Sequence, residues 1–187
     1  MIVWLNGPFG AGKTTLAEKL RERRPDLILF DPEVIGFIVK TTVPPATSGD
    51  YQDLPLWRGL TLAALAEIRK HCHQDIVVPM TVVRPDYLDE LLDGARAIDK
   101  QVIHVFLTPD ERILRERIER QRMHRDPDRD AEIRQWRLAQ VERCVSAREI
   151  MPTDVCFLDS GMHSADALAD KVLAEMSARH SSATGAH

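Results

Sequence analysis

Cysteine is scarce in this chain. Cys72, Cys144 and Cys156 are three among 187 residues. An odd number at wide spacing builds no disulfide framework and no C-x-x-C metal or redox pair. All three therefore read as reduced, partly buried thiols of a cytoplasmic protein. Long apolar runs are also missing. None approaches the roughly 18 residues that cross a bilayer, so no transmembrane segment is expected. The opening residues read as a strand without a basic leader, which gives no sign of a secretory signal. There is no basic excess either: Lys and Arg total 25 against 29 Asp and Glu, a formal net charge of −4. A dedicated nucleic-acid binder usually carries the opposite balance, so no nucleic-acid partner is expected. Internal repeats and interdomain linkers are lacking. Hydrophobic residues make up 44%, enough for one sizeable core, and the length suits one domain. The expectation is a single domain over residues 1–180 and a disordered polar tail over 181–187.

What the chain does contain is the octapeptide Gly7-Pro8-Phe9-Gly10-Ala11-Gly12-Lys13-Thr14. It fits G-x-x-x-x-G-K-[ST] with no mismatch. The apolar run Ile2-Val3-Trp4-Leu5 leads in and a helix-like run from Thr15 to Arg23 leads out. Strand, glycine loop and helix together make a phosphate cradle. Glycines let backbone N–H groups converge on an anion, and the helix N-terminus adds partial positive charge. Lys13 is read as the β/γ-phosphate ligand and Thr14 as the Mg²⁺ ligand, with Thr15 beside them. No N-K-x-D guanine motif is present, so ATP with Mg²⁺ is the expected cofactor.

Short runs rich in Val, Ile, Leu and Phe recur at Ile2–Leu5, Leu27–Phe30, Ile76–Pro79, Val102–Leu107 and Val155–Leu158. They have the character of strands buried on both faces. Helical periodicity fills the intervals: about Leu56 to His73, Asp86 to Ala97, Asp110 to Met123, Ala131 to Arg148, and a last helix capped by Ser164. Thr41 to Pro55 is the longest loop-like stretch. The alternation predicts an α/β fold, a three-layer α/β/α P-loop kinase-like domain on a mostly parallel five-stranded sheet.

In such a sheet, ligands sit beyond the carboxyl ends of the strands. The second strand runs into Asp31-Pro32-Glu33. Asp31 suits both a proton acceptor or Mg²⁺ anchor and a helix N-cap ahead of proline. Glu33 is a weaker candidate on the substrate side. The third strand ends on Thr81 with no carboxylate, which argues against a GTPase or motor ATPase. Thr81 fits a substrate contact or a turn residue equally. Gln52, Trp57 and Arg58 offer a polar, aromatic and charged group to a ring-bearing substrate. Trp57 also lies on an apolar helix face, where core packing explains it. Asp159-Ser160-Gly161 suits either the border of the nucleotide base or a plain turn.

Arg112, Arg115, Arg117, Arg120, Arg122 and Arg125 crowd one helix and its end, and Trp136-Arg137 follow on the next. An arginine-rich helical lid over about 117–137 is one reading; a solvated face of i,i+4 ion pairs is the other. Arg117 and Arg137 are the candidates for holding the cofactor, and Arg120 and Arg125 join Lys13 and Asp31 as catalytic candidates.

Taken together, Trp4 to Thr14, Asp31-Pro32-Glu33 with Gly36-Phe37, Pro55-Leu56-Trp57-Arg58 and Val78-Pro79-Met80-Thr81 resemble the tunicamycin-resistance family of small ATP-binding P-loop proteins. The resemblance covers roughly the first half of the chain. It implies a nucleoside/nucleotide-kinase-like fold, ATP binding and a link to resistance against a uridine-containing antibiotic. It also marks Asp31, Trp57, Arg58 and Thr81 as lining the substrate side. The expected activity is ATP-dependent phosphorylation of a hydroxyl on a nucleoside-like small molecule, tunicamycin included. The alternative is ATP-dependent sequestration of the antibiotic without transfer. The sequence leaves a homo-oligomer open.

Overall fold

The computed structural model describes residues 1–184. Five strands, β1 (Ile2–Asn6), β2 (Ile28–Leu29), β3 (Ile76–Pro79), β4 (Val102–Leu107) and β5 (Cys156–Leu158), form one sheet in the order β2-β3-β1-β4-β5. Every pairing is parallel. Eight helices lie among the described residues: α1 (Lys13–Arg23), α2 (Pro32–Thr42), α3 (Pro55–His71), α4 (Pro85–Ile98), α5 (Glu111–Arg120), α6 (Pro127–Ala139), α7 (Val141–Ser146) and α8 (Ala165–Thr184).

The central strand shows why both layers form. All five β1 residues are buried, and alternate side chains point to opposite faces. Val3 and Leu5 join Leu16 and Leu20 of α1 and Leu168, Val172 and Met176 of α8. Ile2 and Trp4 join Trp57 and Leu65 of α3 and Leu88, Leu91 and Leu92 of α4. β1 pairs with β3 on one side and β4 on the other, with Ile2 opposite Ile76 and Val102. The strand order diverges there, so the crevice beyond the carboxyl ends of these strands is the natural ligand site.

Three elements differ from expectation. The stretch after Asp31 is a full helix, α2, because Asp31 caps it from Glu33 N at 2.9 Å with Pro32 in the first turn. The long helix expected over Ala131–Arg148 starts earlier, at Pro127, where Asp126 accepts from the amides of Asp128 and Arg129. It is then divided at Gln140 into α6 and α7. The last helix runs to Thr184, where a tail was expected from residue 181; the Ser181 and Ser182 hydroxyls bond back to the carbonyls of Ser177 and Ala178 at 3.0 Å. The rest of that expected tail, 185–187, lies outside the described residues.

His104 of β4 is 3% exposed, and its Nε2 lies 3.4 Å from Asn6 Nδ2. Burial pushes its pKa down to about 4. The unfolded chain thus binds the proton first as pH falls. Stability from the neutral ring is intact above about pH 6.5 and is lost as pH falls through 4. Between pH 7.5 and 5 this site alone should cost about 2 kcal/mol. Urea denaturation should show that drop in the wild type and a smaller one in His104→Gln.

Candidate nucleotide and acceptor site

Asn6, at the end of β1, starts the site. Its Oδ1 accepts from Gly7 N at 2.8 Å and Val82 N at 3.0 Å, and its Nδ2 donates to Val82 O at 2.8 Å. This ties the phosphate loop to the segment after β3. Thr81 Oγ1 donates to Gly7 O at 2.9 Å, and Ser160 Oγ donates to Ala11 O at 2.8 Å. Arg117 bridges the far side, donating to Ser160 O at 2.7 Å and to Gly10 O at 3.5 Å. Gly7, Gly10 and Gly12 all have positive φ, at 135°, 79° and 94°, which glycine alone adopts without strain. A Cβ on Gly7 would also meet Leu107 O at 2.9 Å. Protein donors hold the loop carbonyls, and the loop leads into an open helix end. Gly12 caps α1 without a side-chain hydrogen bond and no acid lies in the first turn. The amides there are free to meet an anion.

Lys13 Nζ donates to Gly7 O and Pro8 O, both at 2.8 Å. It forms no ion pair with a carboxylate among the described residues. Burial pushes its pKa down to about 8; the Cys144 thiol and Glu33 raise it, and Arg137 lowers it. A half-buried ammonium with carbonyl partners alone is charged in a place that lacks an anion. A polyphosphate fits that need. Thr14 beside it is exposed, and the Asp31 carboxylate gives one oxygen to Glu33 N. No cluster of three or more His, Cys, Asp or Glu side chains forms a metal cage among the described residues. One hydroxyl and one carboxylate suit Mg²⁺, which usually keeps waters and takes its other ligands from phosphate.

Two cavities flank the loop. The smaller, about 380 Å³, lies between the loop, α5 and the start of α8, and its wall includes Gly12, Thr15, Arg117, Arg120, Ser160 and His163. The larger, about 640 Å³, lies between α2, the 49–52 turn and α6. Glu33, Phe37 and Lys40, spaced i, i+4 and i+7 on α2, supply one wall. Tyr51 and Gln52 supply the second, and Ile133, Trp136 and Arg137 of α6 the third. Phe9 of the phosphate loop belongs to this cavity as well. The Trp136 ring meets Phe9 edge to face at 5.2 Å, and the Arg137 guanidinium lies 5.3 Å from the same ring. Arg137 is thus fixed near both Lys13 and Glu33, and burial lowers its pKa.

The predicted residues divide accordingly. Glu33, Gln52, Phe9 and Arg137 line the larger cavity; Gly10, Ala11, Gly12, Thr15, Arg117 and Arg120 line the smaller. Trp57 does not offer a stacking face. It is wholly buried, with Nε1 on Pro32 O at 3.1 Å and Tyr51 against it at 5.4 Å. Arg58 is buried too; it donates to Glu90 at 2.5 Å and Gln52 O at 2.6 Å and stacks on Tyr87 at 4.1 Å. It holds the 49–53 turn and does not reach the cavity. Thr81 spends its hydroxyl on the loop. Arg125 is exposed and lines neither cavity; its carbonyl takes a hydrogen bond from Arg122. Arg112, Arg115 and Arg129 pair with Glu116, Glu111 and Glu132, as on a solvated helix face.

Phe37, Lys40 and Tyr51 also line the larger cavity, a role that the sequence assigns to none of them. A helix after Asp31-Pro32 would have put Glu33, Phe37 and Lys40 on one face. Gly36 was a further signal: a Cβ there would meet the Tyr51 ring at 2.6 Å.

A family model described as an AAA domain matches residues 2–143. The chain belongs to that family. The span that marks it as an AAA domain holds the phosphate loop, α2, α5 and α6. No curated protein matches the chain in sequence. Solved structures are similar over nearly its whole length. The Deinococcus radiodurans tunicamycin resistance protein has a TM-score of 0.68 at 26% identity, over 94% of each chain. A gluconokinase from Sinorhizobium meliloti 1021 has a TM-score of 0.62 at 20% identity, over 100% of this chain and 97% of its own. A shikimate kinase from Acinetobacter baumannii has a TM-score of 0.56 at 19% identity, over 95% and 93%. The last two show the fold, which is P-loop kinase-like. The resemblance to the tunicamycin-resistance protein therefore holds in three dimensions, and the AAA-domain fold implies nucleotide binding, usually with Mg²⁺. No helix among the described residues is long and apolar enough to cross a membrane.

Lys13→Met should separate binding from stability. Removing an ammonium that the free protein holds below its ordinary pKa should stabilise the ligand-free protein at pH 7 by about 1–2 kcal/mol, after discounting for solvent. Chemical denaturation measures this; a loss of stability would contradict it.

Proposed function

We propose that this protein transfers the γ-phosphoryl group of ATP to a hydroxyl of a nucleoside-like small molecule, with tunicamycin as the first acceptor to try. One observation carries the reading. Phe9 of the phosphate loop borders a cavity of about 640 Å³, and the α2 wall of that cavity presents the Glu33 carboxylate without a hydrogen bond or ion pair among the described residues. A phosphate cradle beside a free base is what transfer to an alcohol needs.

Lys13 exchanges the Gly7 and Pro8 carbonyls for phosphate oxygens, and the α1 amides hold the same group. The acceptor hydroxyl gives its proton to Glu33 as its oxygen bonds to the γ-phosphorus, and the bond to the bridging oxygen of ADP breaks. Arg137 stabilises the charge in flight, and Arg120 lies on the nucleotide side. Mg²⁺, when bound with ATP, neutralises phosphate charge; Thr14 and Asp31 are the residues that would hold it. Asp31 suits a proton acceptor, an Mg²⁺ anchor and an N-cap together; because its carboxylate caps α2 and Glu33 lines the cavity, we assign the proton-accepting role to Glu33. The helices on either side of residues 121–126 serve as the lid over 117–137, excluding water on closure.

The absent carboxylate at the end of β3 favours a second reading, ATP-dependent sequestration of the antibiotic without transfer. One experiment separates the two. The purified protein is mixed with Mg-ATP and tunicamycin, uridine or UDP-N-acetylglucosamine, followed by mass spectrometry of the small molecules. Transfer predicts a product heavier by about 80 Da, absent with Lys13→Ala and slowed about 10²–10⁴-fold by Glu33→Gln. Drug binding that depends on ATP, with no product, supports sequestration and contradicts transfer.

A further inference from the structure

Arg129, Arg137 and Lys40 bring positive charge to the larger cavity, and they are not alike. Arg129 pairs with Glu132, three residues on in its own helix, at 2.7 Å. That is the ion pair of a solvated helix face. Arg137 and Lys40 have no carboxylate three or four residues away, and neither forms an ion pair among the described residues. Arg137 stands at the transfer end, where it is felt by Lys13 and by Glu33. Its guanidinium donates to Gln121 Oε1 at 3.2 Å. Lys40 stands elsewhere, and the transfer step has no use for it.

Glu33 and Lys40 are the only charges on α2, and both line this cavity. Seven residues separate them, about 10 Å along the helix. Between them Gly36 makes room for Tyr51: a Cβ there would meet Tyr51 Cε2 at 2.6 Å and Cζ at 2.7 Å. The phenol end of the ring therefore lies at the middle of the wall, about one turn from either charge. The Tyr51 hydroxyl makes no hydrogen bond among the described residues. The Lys40 ammonium, 4.6 Å over the same ring, makes none either. A lysine in the last turn complements the helix dipole, which does not explain why it lies on a ring in a cavity wall. Asp50, on the neighbouring turn, spends a carboxylate oxygen on Gln52 N at 3.0 Å. Along α2 the wall runs acceptor, donor, cation.

We infer that the acceptor carries an oxyanion, a carboxylate or a phosphate ester, set apart from its reacting hydroxyl: the hydroxyl reaches Glu33, and the oxyanion takes the Lys40 ammonium and the Tyr51 hydroxyl. The inference rests on the phosphotransfer reading of this cavity and names the acceptor's chemical class. The oxyanion is a handle and receives no phosphoryl group. It gives both donors the acceptor they lack. A hydrogen bond to a charged group is worth about ten- to a hundredfold in affinity. Glu33 does not oppose it, because charges about a Debye length apart are largely screened at physiological salt. Lys40 and Tyr51 are then specificity residues, set apart from the reacting atoms. Of the acceptors named above, UDP-N-acetylglucosamine has such a handle and uridine lacks it.

The test measures binding only, so a failure of phosphoryl transfer and a failure of this inference are seen separately. The protein is first saturated with Mg-AMP-PNP, which occupies Lys13 and the α1 amides. It is then titrated calorimetrically with uridine, uridine 5′-carboxylate and uridine 5′-monophosphate. The better of the two anions should bind at least about tenfold more tightly than uridine, and the two arms show which oxyanion the site prefers. Raising the ionic strength should weaken that preference. Lys40→Met, at an exposed position of α2, should erase most of it. Tyr51→Phe keeps the ring against Trp57 and should lower it at least about threefold. Both variants should bind uridine as the wild type does, which shows that they are folded. Equal affinities for uridine and both anions, no binding by any of the three, or a preference that survives either variant intact would each overturn the inference.

Discussion

The Lys13 ammonium is held against two backbone carbonyls, with no carboxylate beside it, and burial brings its pKa down to about 8. Much of the surrounding structure serves that placement. Asn6 and Thr81 fix Gly7, whose carbonyl Lys13 uses. Ser160 and Arg117 fix Ala11 and Gly10 from the opposite side. The donors come from β1, the β3 end, α5 and the turn after β5, so the sheet order itself decides that they meet. A charge kept there without an anion costs stability, as functional sites commonly do. A polyphosphate supplies the missing charge, and the α1 amides point the same way.

The two cavities then follow from where the chain goes next. α5 and the turn before α8 enclose the smaller one. α2, the 49–52 turn and α6 enclose the larger. Phe9 belongs to the phosphate loop and also takes Trp136 and Arg137 of α6. A movement of α6 is therefore felt at the loop, and the loop at α6. Asp130 strengthens the turn between α5 and α6: it accepts from Met123 N and His124 N and pairs with Arg134.

The phosphate loop and the sheet were legible in the sequence because their signals are local. Glycines with fixed spacing and short apolar runs need no tertiary information. The cradle's second layer was less legible. Thr81 at a strand end fits a substrate contact or a turn residue equally; in the fold its hydroxyl meets Gly7 O. Trp57 and Arg58 carried the right chemistry for a ring-bearing ligand; α2 buries Trp57, whose Nε1 meets Pro32 O, and Tyr87 and Glu90 of α4 hold Arg58. Phe37 and Lys40 were hidden because α2 showed in the sequence only as a cap. The arginines were legible as a group but not singly, since exposed ion pairs such as Arg112–Glu116 and a bridging Arg117 share one helix.

Proton uptake on nucleotide binding tests the central claim most directly. At pH 8 a Lys13 with a pKa of about 8 is half protonated, and a bound polyanion raises that pKa. Calorimetric titration with Mg-ATP in two buffers of different ionisation enthalpy should then reveal uptake of about half a proton per nucleotide. Any binding that Lys13→Met retains should take up none. Binding without uptake in the wild type, or the same uptake in the variant, would contradict the account.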